Sequence, residues 1–103
     1  MVVVRRQIEQ SVEDKVVEQA LQRLGVLGLK FKPPGSNGWP DRIFLLPDRP
    51  FFIEFKRAGE PTRVLQDHRI EFLRGLGYEA EAYDTAEEAL ERLKTALRDR
   101  RRI

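Results

Sequence analysis

Residues 38–56 read Gly38-Trp39-Pro40-Asp41-Arg42-Ile43-Phe44-Leu45-Leu46-Pro47-Asp48-Arg49-Pro50-Phe51-Phe52-Ile53-Glu54-Phe55-Lys56. Two short apolar runs, Arg42 to Leu46 and Phe51 to Lys56, flank Pro47-Asp48-Arg49-Pro50, the pattern of a β-hairpin. Side chains alternate along a strand, so Glu54 and Lys56 share one face while Ile53 and Phe55 take the other. Phe51, Phe52, Ile53 and Phe55 make this second strand apolar on both faces. Two charges inside such a strand need compensation from each other, from Asp41 across the hairpin or from a bound cation, because unpaired burial costs several kcal/mol.

Twelve residues separate Asp41 from Glu54, a spacing that lets the start of one strand lie beside the late part of the other. Two carboxylates at close range repel unless a hard cation sits between them, and oxygen ligands of this kind suit Mg²⁺ or Mn²⁺. An ammonium beside that cation, here Lys56, can position an attacking water and offset charge building on a phosphate. Acid, acid and lysine together describe metal-dependent phosphodiester hydrolysis. An E-x-K pair on its own is more often an exposed ion pair; the apolar neighbours and the Pro40-Asp41 step set this one apart.

Upstream, Ile8, Val12, Val16, Ala20, Leu21 and Leu24 recur at helical spacing, which predicts a helix over 7–24 stopped by Gly25, with Ser11 as N-cap or interior residue. Val26 to Phe31 reads as a short strand broken by Pro33-Pro34-Gly35-Ser36-Asn37-Gly38. Downstream, Thr62 is placed to cap a helix whose apolar face runs through Leu65, Phe72, Leu73 and Leu76, ending at Gly75 and Gly77. Tyr78 to Tyr83 alternates as a half-buried strand, with its glutamates on one face. Thr85 and Glu88 then open a last helix through Ala89, Leu90, Leu93 and Leu97. The order is α-β-β-β-α-β-α, an α/β layer design.

At 103 residues the chain has room for one core, so a single domain over 1–103 is expected, with a basic C-terminal tail at about 98–103. Cysteine is absent, which excludes disulfides, thiolate zinc sites and cysteine nucleophiles, and the single histidine, His68, excludes multi-histidine metal cages. No stretch reaches the roughly 18–20 consecutive apolar residues that span a bilayer, and no export signal is recognisable, so a cytoplasmic protein with no membrane partner is expected. The net charge of +2 does not by itself name a nucleic-acid partner. Its distribution says more, because acids crowd residues 79–91 while basic residues mark the ends and the segment from Lys30 to Arg74.

The string Gly38-x-Pro40-Asp41-Arg42, twelve residues, Glu54-Phe55-Lys56, then Gln66 on the next helix and Lys30-Phe31 before the loop, resembles the PD-(D/E)XK nuclease superfamily. Within it, the sequence is similar to the virus-type replication-repair nuclease (VRR-NUC) family over nearly the whole chain. The resemblance implies a restriction-endonuclease-like core in which Asp41, Glu54 and the backbone carbonyl of Phe55 bind the catalytic metal and Lys56 is the catalytic lysine. It also implies a supporting glutamate on the first helix, for which Glu13 is the choice over Glu9 and Asp14, and a role for Gln66 beside the metal site or Lys56. The implied activity is a Mg²⁺- or Mn²⁺-dependent endonuclease on branched DNA, a four-way junction resolvase acting as a homodimer. Flap, nick or restriction-like cutting is the enzymatic alternative, and a non-catalytic DNA-binding module is the alternative of another class.

Around such a site Lys30, Lys32, Arg42, Arg57 and Arg63 form a candidate phosphate-contacting rim, since backbone neutralisation dominates affinity for DNA. Trp39 has two readings, an aromatic surface for an unpaired base or a core residue anchoring the loop.

Overall fold

The computed structural model describes residues 11–57 and 63–101. Helix α1 spans Val12–Gln19 and continues as one π-helical stretch, Ala20–Leu24. Ser11 is the N-cap, its side chain accepting the Asp14 N–H at 3.0 Å, and Gly25 closes the C-terminus at φ 70°, where a side chain would be strained. Residues 7–10 of the expected helix lie outside the described residues.

Four strands follow in the sheet order β1-β2-β3-β4: β1 Leu27–Lys30, β2 Arg42–Leu45, β3 Pro50–Phe55 and β4 Glu79–Tyr83. Strands β1, β2 and β3 form an antiparallel meander, and β4 pairs parallel to β3 after the crossover helix α2, Val64–Gly75. Helix α3, Ala86–Arg101, runs through most of the segment expected to be a tail. The expected cap Thr62 lies outside the described residues, and Arg63 is the N-cap of α2.

The register sorts every side chain to one of two layers. Phe44, Phe51 and Ile53 pack with Val16, Ala20, Leu93, Ala96 and Leu97 on the α1–α3 side. Phe52 packs with Ile70, Leu73 and Ala80 beneath α2, joined by Phe31, Trp39 and Ile43. Completely burying a phenylalanine or leucine contributes roughly 1.5–3 kcal/mol, so the fully buried Phe44, Phe51, Ile53 and Leu93 dominate the first layer. The face of α2 corrects the sequence reading: Leu65, Phe72 and Leu76 are exposed, and Ile70 with Leu73 make the buried stripe. Helix α2 meets small residues of β4 such as Ala80, and so covers the sheet with a narrow face.

Strand β3 is the one strand whose residues Phe51 to Glu54 are buried in succession. It lies between β2 and β4, so its backbone is paired on both sides.

Candidate functional site

Strand alternation puts Glu54 on the α2 side with Phe52 and sends Phe51, Ile53 and Phe55 to the α1–α3 side. Glu54 is 4% exposed, the sole buried charged residue among those described. Opposite it in the parallel pairing stands Ala82, a small neighbour.

Asp41 immediately precedes β2. Continuing the register of Arg42 against Ile53 by one step sets Asp41 across from Glu54. Its Oδ2 accepts the Phe55 backbone N–H at 2.8 Å, which pins the carboxylate to the strand carrying Glu54. The preceding turn is shaped by Gly38 at φ 85°, a conformation glycine adopts without strain. A Cβ there would stand 2.5 Å from Leu65 Cγ, so Gly38 also permits close packing of the loop on α2.

Lys56 follows β3, and its backbone N–H continues the ladder to the Tyr83 carbonyl at 2.8 Å. Its Nζ donates to Gln66 Oε1 at 2.8 Å and lies 3.8 Å from Glu54 Oε2. Gln66 Nε2 donates to that same Glu54 oxygen at 2.5 Å. The remaining capacity of Gln66 Oε1 goes to the Arg63 N–H at 3.1 Å, which fixes the amide at the first turn of α2. One neutral side chain thereby bridges an acid and a base that the sequence placed on a common strand face.

The other Glu54 oxygen, Oε1, is buried and has no hydrogen-bond partner among the described residues. An orphaned carboxylate oxygen carries a desolvation cost, which the Lys56 charge and the Asp41 backbone N–H oppose only in part. Burial first, and then the charge of Asp41, push Glu54 up to about 7, against the pull of Lys56. Burial also raises Asp41, and the Glu13 charge adds to the rise; the Phe55 N–H, Lys32 and Lys56 draw it the other way. Two raised carboxylates, one with a free buried oxygen, are a donor set that a cation would complete. Mg²⁺ commonly takes one or two protein carboxylates and fills its remaining positions with water and substrate phosphate.

Glu13 stands near enough to act on Asp41 through its charge, but its Oε2 accepts from Arg42 Nε at 2.7 Å. Glu13 is thus the ion-pair partner of Arg42, and no group of three or more His, Asp or Glu positioned to hold a metal occurs among the described residues. Arg42, grouped with the phosphate-contacting rim, is turned to the α1 side, where its side chain is 12% exposed and neutralises Glu13. Of the rest of that rim, Lys30, Lys32, Arg57 and Arg63 are exposed, but Lys30 pairs with Arg42 in the β1–β2 register and so shares its α1-side face.

Trp39 anchors the loop. Its Nε1 donates to Ser36 Oγ at 2.8 Å, and its ring meets Phe31 and Phe72 edge-on. Arg69 lies 4.5 Å over the ring and donates to the Asn37 carbonyl at 3.0 Å. The sequence reading did not single out Arg69. The one available signal was its helical spacing from Gln66, which sets both on neighbouring turns of α2.

The antiparallel β1–β2–β3 meander, the parallel β4 and the flanking helices define a mixed α/β protein with a PD-(D/E)XK-like core. No model of a known protein family matches the sequence. Over 78 residues, 75% of this chain and 83% of the other, it is 32% identical to "Putative nuclease p44" of Acyrthosiphon pisum secondary endosymbiont phage 1. The chain belongs to the family of that phage protein. Among the described residues no helix is long and apolar enough to cross a membrane.

Proposed function

We propose that the chain is a Mg²⁺- or Mn²⁺-dependent endodeoxyribonuclease of the VRR-NUC type, with branched DNA as its substrate. The observation that carries this reading is the buried, unpartnered Oε1 of Glu54 beside the Asp41 carboxylate, with Lys56 held at the same spot by Gln66. The printed name of the phage relative, a nuclease, supports the same reaction class.

Asp41, Glu54 and the Phe55 carbonyl would hold the cation, which when bound supplies Lewis-acid activation and neutralises charge at phosphorus. The chain's own part is positional. The Phe55 N–H fixes the Asp41 carboxylate, and β3 fixes Glu54. Gln66 aims the Lys56 ammonium, which orients the attacking water and stabilises the negative charge that grows on the phosphate oxygens. Water adds to phosphorus and the bond to one ester oxygen breaks, leaving a phosphate monoester on one strand end and a hydroxyl on the other. Exposed Lys32, Arg57 and Arg63 supply the positive rim for the DNA backbone.

Resolution of a four-way junction by a homodimer is the finer part of the proposal. Two symmetric nicks need two sites in a fixed relation, which a two-fold dimer provides. Leu27, Leu29 and Leu45, each between 44% and 46% exposed, leave an apolar strip on the β1–β2 half of the sheet, as a self-associating chain would.

The test is incubation of the purified chain with junction, flap, splayed and linear duplexes, with Mg²⁺, Mn²⁺ or EDTA. Paired symmetric nicks in the junction, dependent on a divalent cation and lost in Lys56→Ala, are expected. Binding to branched DNA without cutting under either metal would move the assignment to a DNA-binding module, and flap-only cutting would displace the resolvase.

A further inference from the structure

Beside the metal-binding acids lies a cavity of about 230 Å³ whose lining includes Phe31, Lys32, Ser36, Asn37, Trp39 and Asp41. Because Asp41 belongs to both, an occupant of the cavity is contiguous with whatever is held at the acids. We infer that this cavity seats one unpaired nucleotide of the DNA strand next to the phosphate being cut. The inference rests on the proposed nuclease reading and names the local state of the substrate.

Size and wall chemistry select the occupant. The volume is below the roughly 300–1,000 Å³ of sites for drug-sized ligands, so it suits one base and not a base pair. Phe31 and Trp39 give an aromatic wall, and base–aromatic stacking tolerates any base. Ser36 Oγ already accepts from Trp39 Nε1 at 2.8 Å and from Arg69 at 3.3 Å, which leaves its hydroxyl hydrogen as a donor. The exposed Asn37 side chain adds a donor and an acceptor. Lys32 is close enough for its charge to act on Asp41, a position suited to the nucleotide's phosphate.

The cavity is also built in advance. Arg69 ties down the loop through the Asn37 carbonyl, the Ser36 hydroxyl and the Trp39 ring, while Gly38 packs against Leu65. A loop ordered before binding avoids the entropy cost of ordering it on contact. A paired base has its edge in use and its faces stacked, and enters only after leaving the helix.

Trp39 is the chain's single tryptophan, so its fluorescence reports this cavity. Lys56→Ala protein in Mg²⁺ is titrated with a duplex carrying one extrahelical thymidine and with the fully paired duplex. In parallel, wild type and Asn37→Ala are assayed for cutting of both. The expected result is altered Trp39 emission with the extrahelical substrate, binding at least about tenfold tighter than the paired one, and a matching preference in kcat/KM that Asn37→Ala reduces severalfold. Equal affinity for the two duplexes with unchanged emission overturns the inference, even if wild type cuts both and the nuclease reading stands. Selective emission change and binding with no cutting by wild type leaves the cavity assigned and overturns the nuclease reading.

Discussion

The carboxylate of Asp41 is held by the strand that carries Glu54: its Oδ2 accepts the Phe55 backbone N–H at 2.8 Å, one residue beyond the acid it faces. The hydrogen bond ties β2's entry to β3 and sets the spacing of the two acids. It also draws Asp41 downward against a burial that raises it.

Asp41→Asn and Asp41→Ala therefore separate structure from chemistry. Asparagine keeps an acceptor for the Phe55 N–H, and its variant should remain within about 1 kcal/mol of the wild type in stability, while alanine orphans that donor and costs about 1–3 kcal/mol. Both should lose cleavage. Thermal melts read the first difference, at roughly 4–8 °C per kcal/mol for a domain this size, and a nicking assay reads the second.

Glu54 makes the metal-free protein sensitive to pH. Its ordinary value of 4.5 is raised to about 7 in the fold. Folding therefore favours the protonated acid. This contribution is complete below about pH 4.5, and it is lost as pH rises through about 7. With its side chain 5% exposed, the loss amounts to about 3 kcal/mol by pH 8. Denaturant melts in EDTA from pH 4.5 to pH 8, compared with Glu54→Gln, should show this slope in wild type and its removal in the variant. Adding Mn²⁺ at pH 8 should raise the wild-type melting temperature and leave that of Glu54→Gln unmoved.

Gln66 carries no charge, yet it touches both charged partners through Lys56 Nζ and Glu54 Oε2. Gln66→Ala should lower cleavage about 10- to 100-fold, the usual cost of removing a group that orients a metal ligand. Gln66→Glu keeps the acceptor for Lys56 but cannot donate to Glu54. It should be less stable than wild type in EDTA at pH 8 and recover part of that loss with Mn²⁺, as thermal melts would register.

Gly38→Ala should cost about 1–3 kcal/mol, from a φ of 85° and from a Cβ 2.5 Å from Leu65 Cγ. Leu65→Ala in the same chain relieves the clash and not the backbone strain. A double-mutant cycle by chemical denaturation should therefore recover part of the loss.

The sheet and the grouping of Asp41, Glu54 and Lys56 were legible in the sequence, because period-two alternation and hairpin length decide which side chains of adjacent strands face one another; Gln66, on the following helix, was pointed to by the family resemblance and not by strand geometry. The same alternation carried a signal that the rim reading passed over: Arg42 follows Asp41 directly, so a strand starting there sends the two to opposite layers, and Arg42 meets Glu13. The α2 face was legible only at Leu73, which is buried. Leu65, Phe72 and Leu76 fit a helical stripe as well as Ile70 does, and which stripe is buried depends on the narrow contact with Phe52 and Ala80. Arg69 spells no motif in the sequence; its function as a clamp depends on a loop more than thirty residues away.

The proposed chemistry depends on a cation lying between Asp41 and Glu54, and anomalous difference density from Mn²⁺-soaked crystals locates that ion directly. A peak about 2.0–2.3 Å from a carboxylate oxygen of each residue, with Glu54 Oε1 among its ligands, is the predicted result. A protein that cuts DNA in Mn²⁺ while its manganese density lies away from both carboxylates would contradict it.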